Sequence, residues 1–289
     1  MDKKFKNHIR YKSKYLNYEI NFPSASLDQA SGLKRTIQGK LIANQEISER
    51  YFDKLIVGFH GYGESAEIQD HRHQLMLINE VLDTKFSVLT IAPQALQAFK
   101  RKSRINHTEI QDLEIEKWGH SWMKSSTRNQ DMRDNQNYTN SIFEFLKAQG
   151  VSWGYLIITG HSQGASHAWR VASWFGCDEL IIHAGDIPPE LRNQWPKSLR
   201  ESPPLVVIGR AFDDKVYTEV IFKRDQSDLQ KIFQKIQSKC PLDIGLDTQD
   251  SKETMRENLK DKKLEIWEGQ GDHQWGSEWV DYLRDRFKN

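Results

Sequence analysis

The stretch that decides the fold runs from Tyr155 to Trp169 and reads Tyr-Leu-Ile-Ile-Thr-Gly-His-Ser-Gln-Gly-Ala-Ser-His-Ala-Trp. Its first five residues are mainly apolar and β-branched, which is typical of a strand buried on both faces. Small residues from Ala165 onward indicate the start of a helix. Between the two lies a G-x-S-x-G sequence, in which flanking glycines allow a strained turn that exposes the hydroxyl of Ser162. The stretch therefore predicts a reactive serine at the end of a buried strand.

The composition narrows the classes of protein to which the chain can belong. It has 289 residues, enough for one large α/β domain or two small ones. Its 41 Lys and Arg nearly balance its 40 Asp and Glu, and no basic stripe interleaved with aromatics favours nucleic acid. The two cysteines fit a reducing compartment, and neither a secretory signal nor a membrane-spanning run is present. We expect a cytoplasmic protein.

Strand-like and helix-like segments alternate along the chain, as in a mostly parallel sheet with helices on both faces. This pattern predicts one α/β domain over residues 1–289. Residues 1–50 should supply two strands that pair as a hairpin or as an edge ribbon, and residues 97–126 an irregular excursion over the sheet. The predicted strands are Tyr15–Phe22, Lys34–Ala43, Lys54–Phe59, Phe86–Ala92, Tyr155–Thr159, Glu179–Ala184, Leu205–Gly209 and Lys263–Trp267. The predicted helices are Asp70–Leu82, the segment from Ala165, Asn137–Gln149, Thr218–Lys239 and Glu278–Phe287.

A serine hydroxyl needs a base within hydrogen-bond reach, and the base needs an acid that orients it. His273 follows the last predicted strand on a glycine-flanked loop, at the end of the sheet where such sites form. The acid is Asp213 or Asp214, in the loop after the preceding strand. Counting back from Thr218, the predicted helix cap, favours Asp214, whereas counting forward from the strand favours Asp213.

An acyl-transfer site also needs N–H donors for the oxyanion. One candidate is the backbone N–H of Gln163, the residue after the serine. The second should come from His60-Gly61-Tyr62-Gly63, which follows a buried strand. Glycines such as Gly61 let the backbone approach a substrate, and the Tyr62 N–H is the candidate donor.

Two further groups of residues are open to more than one interpretation. Trp118 and Trp122, in the excursion, are candidates for the wall of an acyl pocket, with core filling as the equal alternative. Asp70, His71 and His73 resemble metal ligands, but helical spacing does not place all three on one face and no fourth ligand stands out. We expect neither a metal nor a cofactor.

These motifs together resemble the α/β-hydrolase superfamily, and more narrowly its phospholipase/carboxylesterase group of small serine esterases. The resemblance covers roughly residues 54–287. It is carried by His60-Gly61-Tyr62-Gly63, Ala92-Pro93-Gln94, Gly119-His120-Ser121-Trp122, Gly160-His161-Ser162-Gln163-Gly164, Asp213-Asp214 and Gly271-Asp272-His273. The resemblance implies a Ser–Asp–His triad that hydrolyses esters of short or medium acyl groups without a cofactor.

The sequence therefore predicts a serine hydrolase that cleaves carboxylic esters through an acyl-enzyme. Its expected partner is a small-molecule ester, and a homodimer remains open. A thioesterase or peptidase with the same triad is one alternative. A non-catalytic scaffold that acts as a ligand receptor is another.

Overall fold

The computed structural model describes residues 8–10, 17–27, 34–77, 87–100, 118–123, 128–192, 195, 199, 203–238 and 264–288. These residues form eleven strands and six helices. The strands are β1 (His8–Arg10), β2 (Asn17–Leu27), β3 (Lys34–Ala43), β4 (Arg50–Phe59), β5 (Val88–Pro93), β6 (Gln97–Lys100), β7 (Trp118–Ser121), β8 (Val151–His161), β9 (Glu179–His183), β10 (Leu205–Ala211) and β11 (Leu264–Gly269). The helices are α1 (Ala66–Leu77), α2 (Arg128–Ala148), α3 (Gln163–Phe175), α4 (Pro189–Arg192), α5 (Glu219–Ser238) and α6 (Ser277–Lys288).

Nine of the strands form one sheet, in the order β1-β2-β3-β5-β4-β8-β9-β10-β11. From β5 to β11 in this order, each strand runs parallel to the next one. The first part of the sheet, through the β3–β5 pair, is antiparallel. The predicted mostly parallel sheet is therefore confirmed, as is the hairpin of β2 and β3.

Alternate residues of the central strands point to two separate core layers, because successive side chains of a strand face opposite sides. On one side Ile56, Ile157, Ile181 and Val207 pack with Met76 of α1 and with Trp279, Val280 and Leu283 of α6. On the other, their strand neighbours pack with apolar residues of α2, α3 and α5. This double coverage explains why these strands read as continuous apolar runs.

Helix α2 begins at Arg128, well before the predicted start at Asn137. Its first turns are polar and lack an apolar period, so the sequence pattern did not reveal them. In the structure Asp131 and Asn135 are buried. The Asp131 carboxylate accepts a hydrogen bond from the Gln97 side chain, and the Asn135 side-chain amide donates to the Trp122 carbonyl. Polar contacts with another segment thus define the start of this helix.

The excursion predicted to be irregular contains an antiparallel pair, β6 with β7. Residues 101–117 and 124–126 of the excursion lie outside the described part of the chain, as do residues 78–82 of the predicted first helix. None of the helices in the described ranges combines the length and apolar character needed to cross a bilayer.

Candidate active site

Ser162 lies in the sharp turn between β8 and α3. Its backbone has φ 54 and ψ −121, a conformation that costs a non-glycine residue on the order of 1–3 kcal/mol. The Ser162 N–H donates to the His183 carbonyl at 3.0 Å, which ties the turn to β9. A Cβ on Gly164 would lie 2.1 Å from the Phe59 carbonyl oxygen. The glycine is therefore required for α3 to pack this closely on β4.

The loops after β8, β10 and β11 bring three polar side chains into a continuous chain of hydrogen bonds. His273 Nε2 lies 2.8 Å from Ser162 Oγ. His273 Nδ1 lies 3.0 and 2.9 Å from Oδ1 and Oδ2 of Asp214. These loops meet because the carboxyl ends of parallel strands lie along one edge of the sheet.

The surroundings of Asp214 favour its carboxylate form. Burial alone would raise the pKa of this buried carboxyl group. Hydrogen bonding and charge attraction from His273, with backbone N–H bonds from Tyr217 and Val216, outweigh burial and hold the pKa below its usual value. A carboxylate accepts from His273 Nδ1–H, which leaves Nε2 as the acceptor facing Ser162.

Asp213, the alternative acid, is exposed. Its N–H donates to the Gly271 carbonyl at 3.0 Å. Its side chain lines an open cleft beside Asp272, Gln274 and Trp275. Within the described residues, the carboxylate that contacts His273 is that of Asp214.

The loop after β4 forms a tight turn over residues 61–64. The Gly61 N–H donates to Glu64 Oε2 at 2.6 Å, and the Glu64 N–H donates to the Gly61 carbonyl at 3.2 Å. The Gly63 N–H donates to the His120 carbonyl at 2.9 Å. Gly61 was predicted to contribute to substrate binding, but its N–H is already bonded to a carboxylate. Tyr62 lies at the tip of the turn with 59% of its surface exposed.

Gln163 is the first residue of α3, a position whose N–H has no acceptor within a helix. Its side chain makes contacts that the sequence analysis did not anticipate. Its Oε1 accepts from Ser121 Oγ at 3.0 Å and from the Trp122 N–H at 2.8 Å. Its Nε2 donates to the Met123 carbonyl at 2.8 Å. The side chain thus fastens the end of the excursion to the first turn of α3, and no sequence pattern signals a contact between such distant segments.

Trp122 belongs to the hydrophobic core. Its side chain is fully buried, and its Nε1–H donates to the His60 carbonyl at 2.8 Å. The indole stacks on His167 with ring centroids 4.4 Å apart. This burial agrees with the alternative of core filling, and contact between Trp122 and the substrate stays a prediction. The side chain of Trp118 lies outside the described part of the structure.

Two further histidines near the site, His60 and His183, are buried. Burial lowers the pKa of His60 to about 4 and that of His183 to about 3. His60 Nδ1–H donates to the Gly61 carbonyl at 2.8 Å, and Nε2 accepts from the Ala95 N–H at 3.1 Å. They support the surrounding loops and lie outside the chain that joins Ser162 to Asp214.

The residues considered as metal ligands separate in the structure. His73 Nε2 lies 3.4 Å from Thr159 Oγ1, and Asp70 Oδ2 accepts from Gln74 Nε2 at 2.7 Å. No group of three or more His, Cys, Asp or Glu side chains suited to a metal ion occurs within the described ranges.

Known proteins resemble this chain in structure only. No protein-family model matches the sequence, and a search of curated proteins gave no match. A carboxylesterase from Mesorhizobium loti shares 10% identity at a TM-score of 0.53, over 87% of this chain and 95% of its own. YahD, solved with malic acid, shares 12% identity at a TM-score of 0.53, over 86% of this chain and 98% of its own. The Bacillus cereus carboxylesterase shares 10% identity at a TM-score of 0.51, over 86% of this chain and 93% of its own.

The chain has the α/β-hydrolase fold. Identities this low establish the fold and leave the activity to be argued from the site. Serine hydrolases of this fold carry the serine at a strand-to-helix turn, followed along the chain by an acid and then a histidine. Ser162, Asp214 and His273 follow the same order in this chain.

Proposed function

We propose that this protein is a serine hydrolase that cleaves carboxylic esters of small or medium acyl groups through an acyl-enzyme. The observation that carries the proposal is the hydrogen-bonded chain from Ser162 Oγ through His273 to the buried carboxylate of Asp214. A strained turn presents the hydroxyl, the imidazole of His273 faces it, and the carboxylate orients the imidazole.

In the proposed reaction, Ser162 Oγ attacks the ester carbonyl while His273 Nε2 takes its proton. The tetrahedral oxyanion receives hydrogen bonds from the Gln163 and Tyr62 N–H groups. His273 then returns the proton to the leaving alkoxy oxygen, which departs as the alcohol and leaves an acyl-Ser162 ester. Water, deprotonated by the same imidazole, attacks that ester and releases the carboxylic acid, which restores the serine.

The choice of an ester rests on two supports. The carboxylesterases from Mesorhizobium loti and Bacillus cereus share this fold over most of their length. The site also needs only the chain's own residues for acyl transfer. A thioester or an activated amide would enter the same chemistry, so the substrate panel described next compares them directly.

The first test compares the wild-type protein with Ser162→Ala in hydrolysis of p-nitrophenyl acetate and in labelling by a fluorophosphonate. We expect one label per wild-type chain, none on Ser162→Ala, and a loss of turnover of several orders of magnitude. Ser152→Ala, an exposed position early in β8, is the matched control and should behave as wild type. Near wild-type turnover by Ser162→Ala would rule out the mechanism.

The second test defines the substrate. Acetyl, butyryl and octanoyl esters, the matching acyl thioesters and a peptide anilide should be compared by kcat/KM. The proposal expects esters to exceed thioesters and anilides, with acetyl or butyryl esters at or above octanoyl. A silent, unlabelled wild-type protein would instead indicate a non-catalytic scaffold.

A further inference from the structure

A buried ion pair joins the turn after β4 to helix α1. Arg72 Nη1 donates to Glu64 Oε2 at 2.7 Å, and Nη2 donates to Oε1 at 2.8 Å, a bidentate arrangement. Glu64 is 3% exposed and Arg72 is 1% exposed. Removing two charges from water is costly, and such a pair often contributes no more to stability than apolar residues of similar size. Its geometry therefore calls for an explanation beyond stability.

Glu64 also closes the turn that carries the proposed oxyanion donor. Its Oε2 accepts from the Gly61 N–H at 2.6 Å, and its own N–H donates to the Gly61 carbonyl at 3.2 Å. Tyr62 lies between the two residues joined by these bonds. The orientation of the Tyr62 peptide therefore depends on where the Glu64 carboxylate is held, and Arg72 holds it.

The same pair reaches the other side of the site. The guanidinium of Arg72 lies 5.6 Å from the ring centroid of Trp275, which follows His273 by two residues on the same loop. Oε1 of Glu64 lies 3.9 Å from Nε2 of His161, whose ring centroid is 5.2 Å from that of His273. One buried pair thus contacts both the donor turn and the surroundings of the histidine.

We propose that Glu64 and Arg72 are positioning residues that set the oxyanion-donor turn relative to the histidine loop. This inference rests on the proposed serine-hydrolase function. Neither side chain touches the reacting atoms. Their effect should therefore appear in kcat and in the binding of a transition-state analogue, with little change in substrate binding.

The experiment compares two double variants that both remove the buried charges. E64Q/R72M keeps an amide oxygen that can accept from the Gly61 N–H, whereas E64L/R72M removes that acceptor. We expect E64L/R72M to have a kcat about ten- to a hundredfold below that of E64Q/R72M, with KM within about threefold. Its affinity for a trifluoromethyl ketone, which forms a tetrahedral oxyanion on the serine, should fall in parallel. The two variants should unfold at similar urea concentrations.

The outcomes separate this inference from the proposed function. If wild-type protein neither turns over esters nor takes the fluorophosphonate label, the proposed function fails and this inference fails with it. If wild type is active and both folded double variants keep its kcat and its inhibitor affinity, the function stands and the positioning role is overturned.

Should E64L/R72M not fold, Glu64→Asp decides the matter. The shorter carboxylate keeps the charge beside Arg72 and cannot reach both Arg72 and the Gly61 N–H. A folded Glu64→Asp protein with at least a tenfold lower kcat and unchanged KM supports the inference. A folded Glu64→Asp protein with wild-type kcat overturns it.

Discussion

Replacement of Asp214 by asparagine is the sharpest test of the triad. In the wild-type structure Asp214 Oδ1 accepts from the Val216 and Tyr217 N–H groups at 2.8 and 2.7 Å. In Asp214→Asn these two donors hold the amide oxygen at the Oδ1 position. The amide nitrogen must then occupy the Oδ2 position, which lies 2.9 Å from His273 Nδ1.

An amide nitrogen at that position donates to Nδ1 in competition with the amide oxygen, which also lies 3.0 Å away, and so favours the opposite imidazole tautomer. Nε2 then carries the hydrogen and can no longer take the proton of Ser162. In serine proteases the same exchange lowers kcat about ten-thousandfold, equivalent to about 5 kcal/mol of transition-state stabilisation. We expect a loss of that size here, with KM little changed and the fold intact, because the shape of the side chain is preserved.

The assay is steady-state hydrolysis of p-nitrophenyl acetate, with circular dichroism and urea unfolding to confirm the folded state. Asp213→Asn is the matched control, because the Asp213 side chain is exposed. This variant should lose less than about twofold in kcat. A folded Asp214→Asn enzyme that keeps more than about a tenth of wild-type kcat would refute this reasoning. So would an Asp213→Asn enzyme that is equally impaired.

Three further predictions concern the supports of the site. Gln163→Met retains the backbone N–H but removes the side-chain hydrogen bonds to residues 121–123. We therefore expect the free energy of unfolding in urea to fall by about 1–3 kcal/mol and kcat to be lower. Gly164→Ala would place a methyl group 2.1 Å from the Phe59 carbonyl oxygen. We therefore expect the free energy of unfolding to fall by about 3 kcal/mol, or no folded protein to form. Burial raises the pKa of Asp70 to about 7, so native Asp70 keeps a proton that the unfolded chain releases near pH 4. The free energy of unfolding should therefore fall between about pH 4 and pH 7, and Asp70→Asn should remove up to about 4 kcal/mol of that fall.

Each of these predictions has a control. Ser121→Ala removes one of the Gln163 contacts and should lower the free energy of unfolding less than Gln163→Met does. An unchanged unfolding midpoint for Gln163→Met would contradict the first prediction. Gly276→Ala places a methyl 3.5 Å from its nearest neighbour and should be tolerated, in contrast to Gly164→Ala. The free energy of unfolding of Asp70→Asn, measured against pH, should exceed that of wild type only toward pH 8. Equal gains at pH 4 and pH 8 would contradict the assignment of the pH dependence to Asp70.

Much of the fold could be predicted because its signals are local. β4, β8 and β10 are continuous apolar runs, and each is covered on both faces by helices. The G-x-S-x-G sequence also carries its own geometry, and the structure gives Ser162 the expected strained backbone. The start of α2 could not be predicted in this way, because it depends on polar contacts with the β6–β7 hairpin and the segment after it.

By itself the sequence determined the alternation of strands and helices along most of the chain, the turn that carries Ser162, and the loops that carry Asp214 and His273. The tertiary structure decided which side chains meet. It placed Asp214 rather than Asp213 against His273, bonded the Gly61 N–H to Glu64, and buried Trp122 in the core. The physical reason is the range of the interactions. Strand and turn preferences act between neighbouring residues, whereas hydrogen bonds and burial at this site join segments far apart in the chain.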